Sequence, residues 1–182
     1  MTDEAIYIIN VRLLRSRWSL AVTGKPIVRA IMRFLYYDTV SNIDKGTSIT
    51  GTKTFALSEE FFRHHFKKSA FVPGVIYMEA MAQLLGWLII YSHDFKLSAI
   101  MSLVEDVTVS PKLRPGFTAE IHGEILSTSR RDSLGKAWIT VGNEVVASMN
   151  RIIYSHVHKV NSRDLLNLFY YYSGIRADTM TR

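Results

Sequence analysis

The chain has 182 residues, 48% of them hydrophobic, and no cysteine. That suits one globular domain with a substantial core, and the lack of thiols excludes disulfides, thiol catalysis and cysteine-based metal sites and favours a cytoplasmic location. A formal net charge of +6 favours acidic partners; nucleic acid is not expected, because no recognition motif accompanies the charge and the aromatic residues do not alternate with the basic ones.

At the N-terminus, Ile6, Ile9, Leu13 and Leu14 lie among Arg12, Arg15 and Arg17 in the pattern of a basic amphipathic helix, expected to pack on the domain. The same arginines interrupt any signal-peptide pattern, and no uninterrupted apolar run is long enough to predict stable membrane insertion. Pro73 suits a first helical position or the boundary just before one, and Gly74 to Tyr91 is dominated by helix formers and apolar residues up to Ser92-His93-Asp94. A helix apolar around its circumference should be buried. Leu97 to Val109 then reads as strand, Phe117 to Ser127 alternates in part, and Ala137 to Val141 with Glu144 to Tyr154 flank a Gly142-Asn143 hairpin turn. A buried helix followed by antiparallel strands predicts an α+β fold. Finally, Asn161 or Ser162 caps a helix with the apolar stripe Leu165, Leu168, Phe169 and Tyr172, stopped at Gly174 and expected to pack on the domain or a partner subunit. There is no internal repeat, low-complexity segment or linker.

The chemistry concentrates in His65 to Gln83, HFKKSAFVPGVIYMEAMAQ. Glu79 falls inside the apolar helix, where an unpaired carboxylate costs several kcal/mol and needs a partner, a proton or a function. Gln83, at i+4, is placed to hydrogen-bond it. Desolvation would raise the pKa of Glu79 and let it act as a general acid. His65 stands nine residues before Gly74 and is the candidate base. The first N–H groups of the helix lack intrahelical acceptors and, with the helix dipole, suit developing negative charge. Ordinary packing is the competing explanation for any single one of these residues.

The run resembles the signature of the beta-hydroxyacyl-acyl carrier protein dehydratases (FabZ/FabA-like) of the hotdog superfamily, through His65-Phe66, Pro73-Gly74-Val75 and Glu79-Ala80-Met81-Ala82-Gln83, with a His-to-Glu separation of 79 − 65 = 14 residues. Arg33 to Asp38 resembles the family's early strand and Pro111 to Gly116 its crossover into the later strands. The likeness covers roughly residues 30 to 155 of a single hotdog domain, leaving an N-terminal extension, 1–29, and a C-terminal helical extension, 160–182. It implies a curved antiparallel sheet wrapped around the long helix. It also implies dehydration of a 3-hydroxyacyl thioester to a trans-2-enoyl thioester in fatty-acid or polyketide-like biosynthesis. His65 would remove the C2 proton, Glu79 would protonate the leaving 3-hydroxyl, and the Gly74 N–H would hold the thioester carbonyl. Phe66, Pro73, Val75 and Gln83 would complete the substrate-binding set.

Implied partners are an acyl carrier protein and a second copy of the chain, as a homodimer or an oligomer of dimers with each site across the interface. The substrate travels on a phosphopantetheine thioester, and no metal or other cofactor is expected. Arg63, Lys67 and Lys68 beside the site, with Lys112, Arg114, Arg130 and Arg131, are candidates for a basic carrier-binding rim. One difference from the family is Lys67-Lys68-Ser69-Ala70, which replaces turn-forming Pro-Gly residues in the loop after His65. Two other functions fit the fold: thioester hydrolysis with Glu79 activating water, and acyl binding without turnover. Isomerisation fits less well, since the isomerising branch generally carries Asp where Glu79 stands. His64 adjoins the aligned histidine, and His93, His122, His156 and His158 lack metal-ligand spacing, although His156 and His158 would share a strand face. Phe62, Phe71, Tyr77 and Trp87 are candidate tunnel-lining residues, for each of which core packing is the simpler reading.

Overall fold

Residues 39–55, rich in threonine and serine, form the first hairpin in the computed structural model, which describes residues 35–62, 69–109 and 113–175: β1 (Thr39–Asp44) and β2 (Ser48–Phe55) turn through Gly46 at φ +79°. A 3-10 turn, Glu60–Phe62, precedes the long helix α1 (Gly74–Ser92). Then follow β3 (Ser98–Val109), β4 (Phe117–Thr128), β5 (Asp132–Val141), β6 (Glu144–Val157) and α2 (Ser162–Ser173). The sheet order is β1-β2-β4-β5-β6-β3 with every pair antiparallel. The amphipathic N-terminal segment lies outside the described residues.

Alternation along the strands decides which face the helix meets. Ile49, Gly51, Lys53 and Phe55 of β2, Ala119, Ile121 and Gly123 of β4, and Ser133, Gly135, Ala137 and Ile139 of β5 are all buried. They line the concave side, against which α1 packs. Gly51, Gly123 and Gly135 make room for Leu84 and Leu85: a Cβ on Gly51 would lie 3.0 Å from a Leu84 methyl, and on Gly135 2.8 Å from a Leu85 methyl. By length and composition α1 could cross a bilayer, but 67% of its apolar window is buried by the protein, as a core helix requires. Tyr154 of β6 binds it to the sheet, donating its hydroxyl to the Ala82 carbonyl at 2.7 Å.

Gly86 differs from the strand glycines. Among the described residues a Cβ there would meet only Tyr154 Cε1, at 3.6 Å, an ordinary contact. Glycine inside a helix costs roughly 0.5–1 kcal/mol relative to alanine, so Gly86→Ala is expected to raise the thermal midpoint by about 1–4 °C, as calorimetry would show. An unchanged or lower midpoint would mean that Tyr154 cannot tolerate even this contact.

Both helix boundaries follow their residues. Pro73 is the N-cap, with φ −63° and ψ 140°, and Gly74 is the first helical residue. At the other end His93 is the C-cap, and Asp94 and Phe95 take left-handed φ of 54° and 57°. Such backbone is unfavourable for non-glycine residues, and burial of Phe95 against Tyr91 and Phe169 holds it there. Helix α2 is capped by the Asn161 side chain, which accepts from the Arg163 and Asp164 N–H groups, and ends at Gly174 with φ 72°. It packs on the domain: Phe169 is buried against Trp87 and Tyr91 of α1.

One expectation needs correction. Leu35 to Tyr37 is not strand, because the Tyr36 N–H is given to the Gln83 side chain; ladder bonding begins when the Asp38 N–H meets the Thr52 carbonyl at 2.7 Å. Of the crossover, Leu113 to Gly116 is irregular chain, tied down by Val72 N–H to Leu113 O at 3.1 Å and Gly116 N–H to Phe55 O at 2.7 Å.

Candidate active site

Helix α1 presents the site residues by its period. Glu79 and Gln83 lie one turn apart on one face, and the Gln83 Nε2 donates to Glu79 Oε1 at 2.8 Å. The amide's orientation is set from outside the helix, because its Oε1 accepts the Tyr36 N–H at 3.0 Å and so must turn its nitrogen toward Glu79. Among the described residues Gln83 is the hydrogen-bond partner of Glu79. Glu79 is half-buried. Desolvation raises its pKa above the usual carboxylate range, and the Gln83 hydrogen bond opposes that rise. The same carboxylate adds to the effect of burial in holding the Tyr154 hydroxyl protonated.

The start of the helix is tightly packed on one side and open on the other. Pro73 and Gly74 are half-buried and Val75 is 53% exposed. A Cβ on Gly74 would lie 3.3 Å from Val109 Cγ2, so the first turn sits against the end of β3, the edge strand. The first-turn N–H groups therefore lie beside a sheet edge. His65 and Phe66, with Arg63, His64, Lys67 and Lys68, lie outside the described residues, as do Pro111 and Lys112. Arg114, Arg130 and Arg131 are exposed. Of the candidate tunnel residues, Tyr77 and Trp87 belong to the core and Phe62 and Phe71 are half-buried. Burial pushes the Tyr77 hydroxyl up to about 12.

One feature of the site had no sequence signal strong enough to find it: the backbone donor at Tyr36.

The remaining histidines have structural partners. His122 stacks on Trp138 with ring centres 5.1 Å apart, on the opposite face of the sheet from α1. His156 and His93 meet at 4.9 Å, His158 is 6.2 Å from His156, and Ser133 Oγ lies 2.8 Å from His156 Nε2. Among the described residues no group of three or more His, Asp or Glu side chains forms a set that could hold a metal ion. Burial, then the neighbouring His93, lowers the pKa of His156; His158 adds to this, and Arg130 and Asp132 oppose it. A histidine held neutral by folding contributes stability above its unfolded pKa, near 6.5, and that contribution is lost as pH falls toward the folded value. Thermal midpoints taken from pH 8 to pH 5 should fall more steeply for wild type than for His156→Gln, and parallel profiles would remove His156 as the cause.

The comparisons with known proteins agree with this architecture. The family model described as a FabA-like domain matches residues 29–150. The 3-hydroxyacyl-acyl carrier protein dehydratase FabZ of Pediococcus pentosaceus is 30% identical over 113 residues, 62% of this chain and 76% of the relative. That of Caldicellulosiruptor saccharolyticus is 32% identical over 114 residues, 62% of this chain and 81% of the relative. Among solved structures, the dehydratase heterocomplex ApeI:P from Xenorhabdus doucetiae superposes with a TM-score of 0.57 at 14% identity, covering 77% of this chain and 92% of that one. The conserved protein PA5202 from Pseudomonas aeruginosa gives 0.55 at 14%, covering 65% and 87%. With a six-stranded antiparallel sheet wrapped on one long helix and a family match across most of its length, the chain belongs to the FabA-like family of hotdog-fold proteins.

Proposed function

We infer that the protein dehydrates a 3-hydroxyacyl thioester, carried on an acyl carrier protein, to the trans-2-enoyl thioester. The observation that carries this is a half-buried carboxylate with a raised pKa, pinned by one amide inside an otherwise apolar helix of a FabA-like fold. The relatives' activity supports the same reading. His65 takes the proton from C2, the C3–O bond breaks as the proton on Glu79 Oε2 passes to the hydroxyl, and water leaves. Return of one proton from His65 to Glu79 resets the pair. The Gly74 N–H, at the positive end of the helix, stabilises negative charge on the thioester oxygen as C2 loses its proton. Gln83 holds the carboxylate, and Phe66, Pro73 and Val75 line the approach. No step requires a metal or redox cofactor.

The working unit is a homodimer in the cytoplasm. Among the described residues strand β3 is an edge of the sheet, with Leu103, Val107 and Val109 each about two-fifths exposed on it (41%, 38% and 42%). The first turn of α1 lies against that edge through Val109, so a second copy pairing there would bring its own residues to the site. Exposed Arg114 and the basic loop residues Arg63, Lys67 and Lys68 would meet the acidic carrier.

The test is incubation of the purified protein with 3-hydroxyacyl carrier-protein thioesters of several chain lengths, with products read by mass spectrometry. Enoyl thioester is expected. Free acid would establish a thioesterase instead, and carrier binding without turnover would make the protein an acyl-binding subunit.

A further inference from the structure

Four side chains at the C-terminal end of α1 form one hydrogen-bonded line. His93, the C-cap, gives its Nδ1–H to the Ile89 carbonyl at 2.9 Å, so its Nε2 accepts from the Thr128 hydroxyl, at 3.5 Å. Thr128 Oγ1 lies 2.8 Å from Ser133 Oγ, and Ser133 Oγ lies 2.8 Å from His156 Nε2. Each hydroxyl carries one proton, so the line has one direction: His156 donates to Ser133, Ser133 to Thr128, and Thr128 to His93. The reverse direction would put the His156 proton on Nδ1, which is buried without a hydrogen-bond partner among the described residues. Both histidines must be neutral for the line to close. A second proton on His93 sets a donor against the Thr128 hydroxyl, and one on His156 falls on the unpartnered Nδ1. The surroundings do little to balance such a charge. Asp94 is paired with Lys45, and Asp132 accepts the Ser129 hydroxyl at 2.8 Å. Lys96, Arg130, Arg131, His158 and Lys159 belong to the same end of the domain, and β3 places Ala99 opposite His156. The Arg130 carbonyl, which favours a charged His156, already accepts the His158 Nε2–H at 3.1 Å.

We propose that His93, Thr128, Ser133 and His156 form a pH-operated latch that fastens the β4–β5 turn to the end of α1, closed while both histidines are neutral and opened when either takes a second ring proton. Thr128 ends β4 and Ser133 stands next to the first residue of β5, so the line grips both stems of the turn. A histidine free of these contacts titrates near 6.5, so the latch is closed above that pH and loosens below it. It does not depend on the dehydratase reading, because His93 stands 93 − 79 = 14 residues beyond Glu79, about 20 Å along the helix.

The test is hydrogen exchange of the full chain at pH 8 and pH 5.5, corrected for the intrinsic effect of pH on exchange. In wild type, protection of peptides spanning residues 126–134 is expected to fall at least about tenfold at the lower pH, the factor for one histidine kept neutral one unit below its free pKa. Peptides within residues 76–88 of α1 should keep their protection. The double variant His93→Gln with His156→Gln keeps amide donors in place of the rings and cannot titrate, so its protection should be equal at both pH values. His158→Gln, outside the line, should retain the wild-type fall. Nitrogen-15 NMR of wild type at pH 8 should place the single ring proton on Nδ1 of His93 and on Nε2 of His156, a readout that needs no variant to fold. A proton on Nδ1 of His156 would overturn the latch. So would no fall in residues 126–134, a fall that survives the double substitution or vanishes in His158→Gln, or one shared equally by residues 76–88.

Discussion

Glu79→Gln is expected to cut dehydration at least roughly a hundredfold, the range for loss of a general acid, while making the protein more heat-stable at neutral and alkaline pH. The carboxamide keeps the shape of the side chain and can still accept the Gln83 hydrogen bond, but it has no proton to give the leaving hydroxyl. The stability gain follows from the sign of the pKa shift. Desolvation raises the folded pKa of Glu79 above the unfolded value, which is about 4.3. The native state therefore holds its proton to higher pH. What this group contributes to stability is fully present below the unfolded pKa and is lost as pH rises through the folded one. The midpoint advantage of Glu79→Gln should accordingly be largest near pH 8 and shrink toward pH 4. His65→Ala should lose turnover to a similar degree, at least about a hundredfold, as loss of the general base. Retained turnover in folded Glu79→Gln would end the assignment of the acid. A midpoint difference independent of pH would show that burial is not what perturbs the carboxyl.

The second large effect is on stability: Gly135→Ala should lower the thermal midpoint by about 6–12 °C, taking roughly 3 kcal/mol of overpacking and about 2–4 °C per kcal/mol for a chain of this size. A single methyl is enough because two surfaces converge there. The added Cβ would lie 2.7 Å from the Glu124 carbonyl oxygen and 2.8 Å from Leu85 Cδ2. The side chain has other rotamers, but the carbonyl belongs to the neighbouring strand β4, so the ladder itself must move. Gly135 already stands where the pairing is irregular, next to register shifts on both neighbouring strands. The contrast with Gly86→Ala, where the added methyl meets only an ordinary contact, makes the pair diagnostic. A change of under about 2 °C in Gly135→Ala would mean that the sheet is free to relax at this position.

Local sequence is enough to place α1, from Pro73 to the stop at Ser92-His93-Asp94, strands β3, β4 and β6, the second half of β5 from Ala137, the Gly142-Asn143 turn and α2 between Asn161 and Gly174. Each of these depends on caps, turn residues or periodicity within a few neighbours, which a linear reading can see. The family signature likewise marked Glu79 and Gln83, and the structure joins them at 2.8 Å. The first hairpin was not legible, because β2 turns Gly51 and Lys53 inward between Ile49 and Phe55 and so shows no apolar alternation. Its inward glycine makes sense only once Leu84 lies over it, and its inward lysine only once Asp38 and Glu59 come to it. The same holds for the orientation of the Gln83 amide, decided by the Tyr36 N–H 47 residues away, and for the exposure of β3 as a sheet edge. Residues distant in sequence act on one another only after the chain has closed, so it is the folded arrangement that settles which carboxyl is desolvated, which amide holds it and which strand ends the described sheet.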